Sequence, residues 1–312
     1  MPPVEPSLAA LHNPVLRHFA ATRPAFLSVT FVGVLLGVAA AAHGGVAVSP
    51  LLATVTLFFA LVAHGGANVL NDYYDAQNGT DAANVDRVFP FTGGSRIIQN
   101  GVMTTAEAGR FGFALMAAVV PAGLWLTSVS ASGLIGIGLA GLVIAWAYSA
   151  PPLHLVARGL GEAAITAAWL LVVVGSDYVQ RSAFDFAPVA AGLGFALLVA
   201  NILFINQFPD LRADAAAGKR TVVVRLGPAA ARHGYALIAL LAYGWVTAMV
   251  FAGNLPAAAL ASLLPAAISL KAAAGLARHA AQPPALAPAI KMTILATSLH
   301  GLLLAAALGF AR

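Results

Sequence analysis

Cysteine is missing from all 312 residues, so disulfides, thiolate metal sites and thiol nucleophiles are excluded. Charge is nearly as scarce. Asp, Glu, Lys and Arg make up 9% of the chain, against about a quarter in soluble domains. What replaces them is apolar: 60% of residues are hydrophobic and the mean hydropathy is +0.88. Such a chain cannot cover itself for water and belongs in a lipid bilayer. The pI near 9.9 would suit a nucleic-acid partner, but the basic residues sit in short segments between apolar runs, which is membrane topology. Nucleic acid is therefore excluded. No Ser/His/Asp set, P-loop or dinucleotide fingerprint is present either.

What is there is long hydrophobic runs. A spanning helix needs about 20 apolar residues, and nine runs qualify: roughly 25–43, 50–70, 108–127, 131–149, 160–176, 187–207, 233–252, 255–275 and 289–310. The fifth is the shortest. Continuous Ala/Leu/Val/Gly runs without alternation argue against strands. The expected fold is all-α, a polytopic membrane bundle of nine transmembrane helices forming one domain over 1–312. Residues 1–24 are mixed and Pro-containing, and no small-residue cleavage site follows, so the first run is expected to be a retained spanning helix behind a cytoplasmic N-terminal segment. With the N-terminus cytoplasmic, 14 of the 16 Lys and Arg residues fall on the cytoplasmic side and only Arg181 and Arg312 outside. An even helix number would spoil that bias. The location implied is a bacterial-type inner membrane, crossed many times.

Five of the 11 acidic residues lie in two clusters on the cytoplasmic side, in segments 72–107 and 208–232, read as loops after the second and sixth helices. The first runs Asn71-Asp72-Tyr73-Tyr74-Asp75-Ala76-Gln77-Asn78-Gly79-Thr80-Asp81. If the helix continues, Asp72 and Asp75 share a face, and Asn78-Gly79 is a turn that swings Asp81 back toward them. The second is Asp210-Leu211-Arg212-Ala213-Asp214, again with one-face spacing. Like charges on one helix face repel, and carboxylates at the edge of a membrane core are expensive. Two such sets on one side call for a cation. All-oxygen donors point to a hard ion, and magnesium binds through one or two carboxylates plus phosphates and water. The metal ligands expected are Asp72, Asp75, Asp81, Asp210 and Asp214, clamping Mg2+ around a diphosphate. Arg96, Arg158, Lys219 and Arg220 are candidate phosphate contacts. Arg232, Lys271 and Arg278 read as ordinary positive-inside residues. Of the aromatics, Tyr74 and Tyr148 are the best candidates to steady a cation with their ring faces. His64, two turns before Asp72, reads as a packed, hydrogen-bonding residue.

Asn71-Asp72-x-x-Asp75 with Asp210-x-x-x-Asp214 resembles the UbiA superfamily of membrane prenyltransferases. Thr92-Gly93-Gly94-Ser95, Tyr148-Ser149-Ala150-Pro151-Pro152, Arg158-Gly159-Leu160-Gly161-Glu162, Asn206-Gln207-Phe208-Pro209-Asp210 and the stretch from Gly218-Lys219-Arg220 to Gly227 are similar to its 1,4-dihydroxy-2-naphthoate branch. The third carboxylate at Asp81, where the general motif would have it at position 79 (glycine here), fits that branch. The basic pair of 4-hydroxybenzoate enzymes is absent near Leu153-His154. The resemblance implies nine transmembrane helices and transfer of a polyprenyl group from its diphosphate to an aromatic acceptor. Magnesium is the implied cofactor, and carbon dioxide is lost in menaquinone biosynthesis. Asp72, Asp75, Asp210 and Asp214 would be catalytic. Asn68, Asn71, Tyr74, Arg96, Tyr148, Arg158, Asn206, Lys219 and Arg220 would contact substrate. Prenylation of 4-hydroxybenzoate or homogentisate, phytylation and cyclisation stay open beside it. A transporter also fits the helices, although transporter sites sit near the midplane and here the charges gather at one edge.

Overall fold

The computed structural model describes residues 4–310 of the chain; Met1–Pro3, Ala311 and Arg312 lie outside the described residues. Every regular element among those described is helical: α1 (Pro14–Ala21), α2 (Pro24–His43), α3 (Pro50–Gln77), α4 (Thr80–Ala83), α5 (Thr105–Val129), α6 (Gly133–Ala147), α7 (Gly161–Arg181), α8 (Ala187–Ala216), α9 (Val222–Leu226), α10 (Pro228–Phe251), α11 (Ala266–His279) and α12 (Ala287–Phe310). Prolines at the first turns of α2, α3, α8 and α10 start helices where a missing N–H costs nothing. A capping box at Thr104/Glu107 starts α5.

Eight described segments are long and apolar enough to cross a membrane: α2, α3, α5, α7, α8, α10, Ala257–His279 and Pro283–Phe310. The last two include short 3-10 turns ahead of α11 and α12. The remaining apolar helix, α6, has 15 residues. At the helical rise that is about 22 Å, short of a hydrocarbon core of about 30 Å. The shortest of these apolar segments is thus the fourth. The fifth, expected to stop at 176, runs to Arg181. Asp177 and Arg181 break the apolar run but form an i,i+4 ion pair on α7, with Arg181 Nη2 2.7 Å from Asp177 Oδ1.

The central helix is α8. It packs against α2, α7, α10 and α12, and Phe195, Val199 and Ile202 meet Leu36, Val173, Val246 and Leu304 in the main core. Close helix approach is made with small residues, as expected where lipid removes the hydrophobic drive. A Cβ on Gly37 of α2 would lie 2.2 Å from the carbonyl oxygen of Val173 on α7. Large apolar side chains on the outside, among them Phe58, Leu124, Leu139, Leu240 and Phe251, form a surface suited to lipid. The molecule is a multi-pass membrane protein.

Candidate active site

The aspartates lie on helix, not in loops. α3 continues through Asp72 and Asp75 to Gln77, and α8 continues past Pro209 through Asp210 and Asp214 to Ala216. The charges interrupt the apolar runs, which is why hydropathy ended both helices early. Inside the bundle the carboxylates have polar partners, so the helices need not stop.

After α3 the turn at Asn78-Gly79, with Gly79 at φ +82, folds α4 back and buries Asp81. The Thr92-Gly93-Gly94-Ser95 loop closes over the same point. Ser95 N–H donates to Asp72 Oδ2 at 3.0 Å. A Cβ on Gly94, at φ +72, would lie 2.5 Å from Asp81 Oδ2 and 2.9 Å from Asp72 Oδ1. Gly94 is therefore required twice, by its backbone angle and by the two carboxylates converging on it.

Lys219 ties the two clusters together. Its ammonium donates to Asp75 Oδ1 at 2.6 Å and stands 3.6 Å from Asp214 Oδ1, and it is 4% exposed. Burial alone would depress its pKa, but the carboxylates of Asp75 and Asp214 outweigh that and hold it above the ordinary lysine value. Asn84 Nδ2 crosses from the first cluster to donate to Asp210 Oδ1 at 2.5 Å. Asn71 Nδ2 donates to Asp75 Oδ2 and Ser149 Oγ, both at 3.1 Å, joining α3 to the end of α6. Asp81 is pushed well above the carboxylate range, first by burial and then by the charges of Asp72 and Asp75.

These groups cap a cavity of about 510 Å³. At its polar end stand Arg23, Asn68, Asn71, Asp75, Asp81, Asn84, Asn206, Asp210, Asp214 and Lys219. One stripe of α3, from Thr56 through Phe59, Ala63, Ala67 and Asn71 to Asp75, lines it for about 28 Å at the helical rise. Met116, Val119, Leu142, Trp169 and Val172 make the opposing walls apolar.

Of the residues expected at the site, Asn68, Asn71, Asp75, Asp81, Tyr148, Asn206, Asp210, Asp214 and Lys219 line the cavity, and Asp72 lies just behind Gly94. Four others lie elsewhere. Arg96 is buried as a brace, donating to the Asp81 carbonyl at 2.5 Å. Arg158 is exposed and donates to the Pro152 carbonyl, Arg220 is exposed, and Tyr74 sits against Tyr73, whose own ring meets Phe113 of α5. Residues not expected also appear. Arg23, counted only as a positive-inside charge, enters the cavity and approaches Asp72 Oδ1 at 3.8 Å. Asn84 had no sequence signal, since its partner is 126 residues away. His64 accepts or donates with Thr30 Oγ1 at 2.7 Å and meets the Trp169 ring edge-on, the packed role expected of it.

The donor set fits a hard divalent cation. All its ligand atoms are oxygens, and the buried Asp72 Oδ1, Asn84 Oδ1 and Asn206 Oδ1 have no hydrogen-bond partner. No three acidic or histidine side chains among the described residues already form a closed metal shell. An ion shared with a diphosphate and water does not need one.

A family model described as the UbiA prenyltransferase family matches residues 30–308. The chain belongs to that family. It is a membrane prenyltransferase. It is 32% identical to the 1,4-dihydroxy-2-naphthoate octaprenyltransferase of Mycobacterium tuberculosis over 92% of this chain and 95% of that one. With the enzyme of the same name from Escherichia coli it shares 30% identity over 69% of this chain and 70% of that one. A UbiA homolog from Archaeoglobus fulgidus, solved bound to GPP and Mg2+, superposes with a TM-score of 0.60 at 16% identity, covering 92% of this chain and 99% of that chain. The fold is shared with that structure.

Proposed function

We propose that this enzyme transfers a polyprenyl group from its diphosphate to 1,4-dihydroxy-2-naphthoate, with loss of carbon dioxide, in menaquinone biosynthesis. The carrying observation is the joining of both aspartate clusters by Lys219 and Asn84 at the mouth of a long apolar cavity. The relatives named for this reaction, matched at 30–32% identity, support the choice of acceptor.

Asp72, Asp75, Asp81, Asp210 and Asp214 are the side chains that would hold magnesium. When bound there, it supplies positive charge against the leaving diphosphate. Lys219 presents its ammonium to the diphosphate oxygens, held in place by Asp75 and Asp214, so its charge is pre-organised for the bond-breaking step. The carbon–oxygen bond of the prenyl diphosphate breaks with both electrons leaving on the diphosphate. Apolar walls keep water from the allylic cation, and the Tyr148 ring lines the cavity where that charge develops. The ring carbon bearing the carboxylate supplies the electron pair for the new carbon–carbon bond. Release of carbon dioxide then returns the carbon–carboxyl electron pair to the ring, so an ionised acceptor gives up no proton in the transfer.

Counting α6, the apolar helices among the described residues number nine, which together with the positive-inside bias supports a cytoplasmic N-terminus and site. The absence of native cysteine makes this testable: Gln77→Cys should react with a membrane-impermeant thiol reagent only from the cytoplasmic side and Ser182→Cys only from the other. For the reaction, the purified protein is incubated with magnesium, a long prenyl diphosphate and candidate acceptors. The expected result is naphthoate prenylation and released diphosphate, both abolished by EDTA. Product from 4-hydroxybenzoate alone would assign the protein to another reaction.

A further inference from the structure

The proposed acceptor poses an electrostatic problem, because it is itself a carboxylate and must enter a chamber already holding Asp75, Asp81, Asp210 and Asp214. It needs a cation that those carboxylates have not claimed. Only two cationic side chains, Lys219 and Arg23, are among the lining residues. Lys219 is committed to Asp75 and Asp214 at 2.6 and 3.6 Å.

Arg23 is placed differently. It stands ahead of α2 in a left-handed conformation, φ 56, with Pro24 starting the helix behind it. Its guanidinium reaches Asn71 Oδ1 at 3.5 Å and Asp72 Oδ1 only at 3.8 Å. Its Nε is buried with no hydrogen-bond partner. The same guanidinium sits 5.0 Å from the centre of the Phe26 ring, which also lines the cavity. A planar fork with an unused donor beside an apolar ring matches an aromatic carboxylate: the fork takes the two oxygens and the ring face takes the aromatic body.

We infer that Arg23 is the specificity-determining residue that binds the carboxylate of the aromatic acceptor, on the α2 side of the cavity, leaving Lys219 for the diphosphate. This rests on the acceptor reading above.

The test compares full-length wild type, Arg23→Gln and Arg23→Lys in detergent. Each is titrated with 1,4-dihydroxy-2-naphthoate, with 1,4-dihydroxynaphthalene, which lacks the carboxylate, and with a prenyl diphosphate plus magnesium. Binding is read by tryptophan fluorescence, since Trp169 lines the cavity, and KM and kcat are read for both substrates. Arg23→Gln should weaken the naphthoate about 30-fold, the scale of a hydrogen bond to a charged group. It should leave the carboxylate-free ring and the prenyl diphosphate within about 3-fold, and Arg23→Lys should recover part of the loss. Equal weakening of both rings overturns the inference. So does a rise in the prenyl diphosphate KM instead, or loss of every ligand from both variants. If wild type prenylates 4-hydroxybenzoate and not the naphthoate, the acceptor reading fails. Arg23 is then tested with that carboxylated ring and its decarboxylated partner, phenol.

Discussion

Asp177 and Asp72 are about equally buried, at 1% and 4% exposed, yet they sit at opposite ends of the bundle and are treated in opposite ways. At one end of α2, Arg181 Nη2 and Nε donate to the two Asp177 oxygens at 2.7 and 2.9 Å, and Nη2 also reaches the Ala40 carbonyl. Arg181 also stands 3.8 Å from Asp185, so both aspartates there have their cation one helical turn away. At the other end of α2, some 30 Å distant at the helical rise, four buried aspartates and the half-buried Asp210 have only Lys219 and the looser Arg23 beside them, and Asp72 Oδ1 has no hydrogen bond. A carboxylate satisfied within its own helix is part of the scaffold. A set left short of positive charge is waiting for a ligand that brings it. Substitutions at the two ends should therefore fail in different assays.

The largest contrast is between Asp210→Ala and Asp177→Asn. Loss of Asp210 should lower kcat at least ~100-fold, about 2.7 kcal/mol of transition-state stabilisation, with the thermal unfolding midpoint close to wild type. Asp177→Asn leaves the half-buried Arg181 with only Asp185, at 3.8 Å, as counter-charge and should cost about 2 kcal/mol of stability, with kcat near wild type for the folded fraction. Turnover by Asp210→Ala at the wild-type rate would erase the distinction between the two ends.

Magnesium should sense only one of them. Saturating metal, at ~100 times its Kd, should stabilise the wild type by about 2.7 kcal/mol. Asp177→Asn should keep that increment, and Asp75→Asn with Asp214→Asn should lose it. An equal increment in both variants would show that the ion binds elsewhere.

A finer contrast uses two glycines with left-handed backbone. Gly94 and Gly101 have φ of +72 and +68, but a Cβ on Gly101 meets nothing within 4 Å. Either alanine pays roughly 1 kcal/mol for its backbone angle. Only Gly94→Ala also displaces Asp72 and Asp81, and kcat should fall a further 10- to 100-fold. Similar activity in the two variants would mean that the carboxylates tolerate displacement.

How these features were written in the sequence differs by range. Aspartate spacing and the glycine turn at Asn78-Gly79 are local, so both clusters and the return of Asp81 could be read from a few residues. Helix ends were misread where charge broke an apolar run but found a partner, as at Asp177 with Arg181 and at Asp72 and Asp75. Arg23 and Asn84 escaped because their partners come from folding: Asn71 lies 48 residues from Arg23, and Asp210 lies 126 from Asn84. Arg158 and Arg220 sat in suggestive motifs, but both side chains are exposed and neither lines the cavity.

The smallest expected effect lies between Asp81 and Asp86, five residues apart and shifted in opposite directions. Burial, then the charges of Asp72 and Asp75, holds Asp81 well above the ordinary range. Asp86, at the surface, is held below it by its hydrogen bond to Arg212. In metal-free protein the folded state keeps a proton on Asp81 that the unfolded chain gives up near pH 4. Stability from this group is thus present below that pH and is lost as pH rises through its raised folded value. The Asp86 contribution has the other sign: it is present above about pH 4 and is lost as pH falls. An exposed pair of this kind contributes under about 1 kcal/mol. Unfolding midpoints measured from pH 4 to 8 in EDTA should fall with rising pH, and Asp81→Asn should flatten that slope. Asp86→Asn should leave it unchanged. As a proposed magnesium ligand Asp81 must be ionised, so the metal's stabilising increment should shrink as the solution is acidified. An increment that grows on acidification would remove Asp81 from the ligand set.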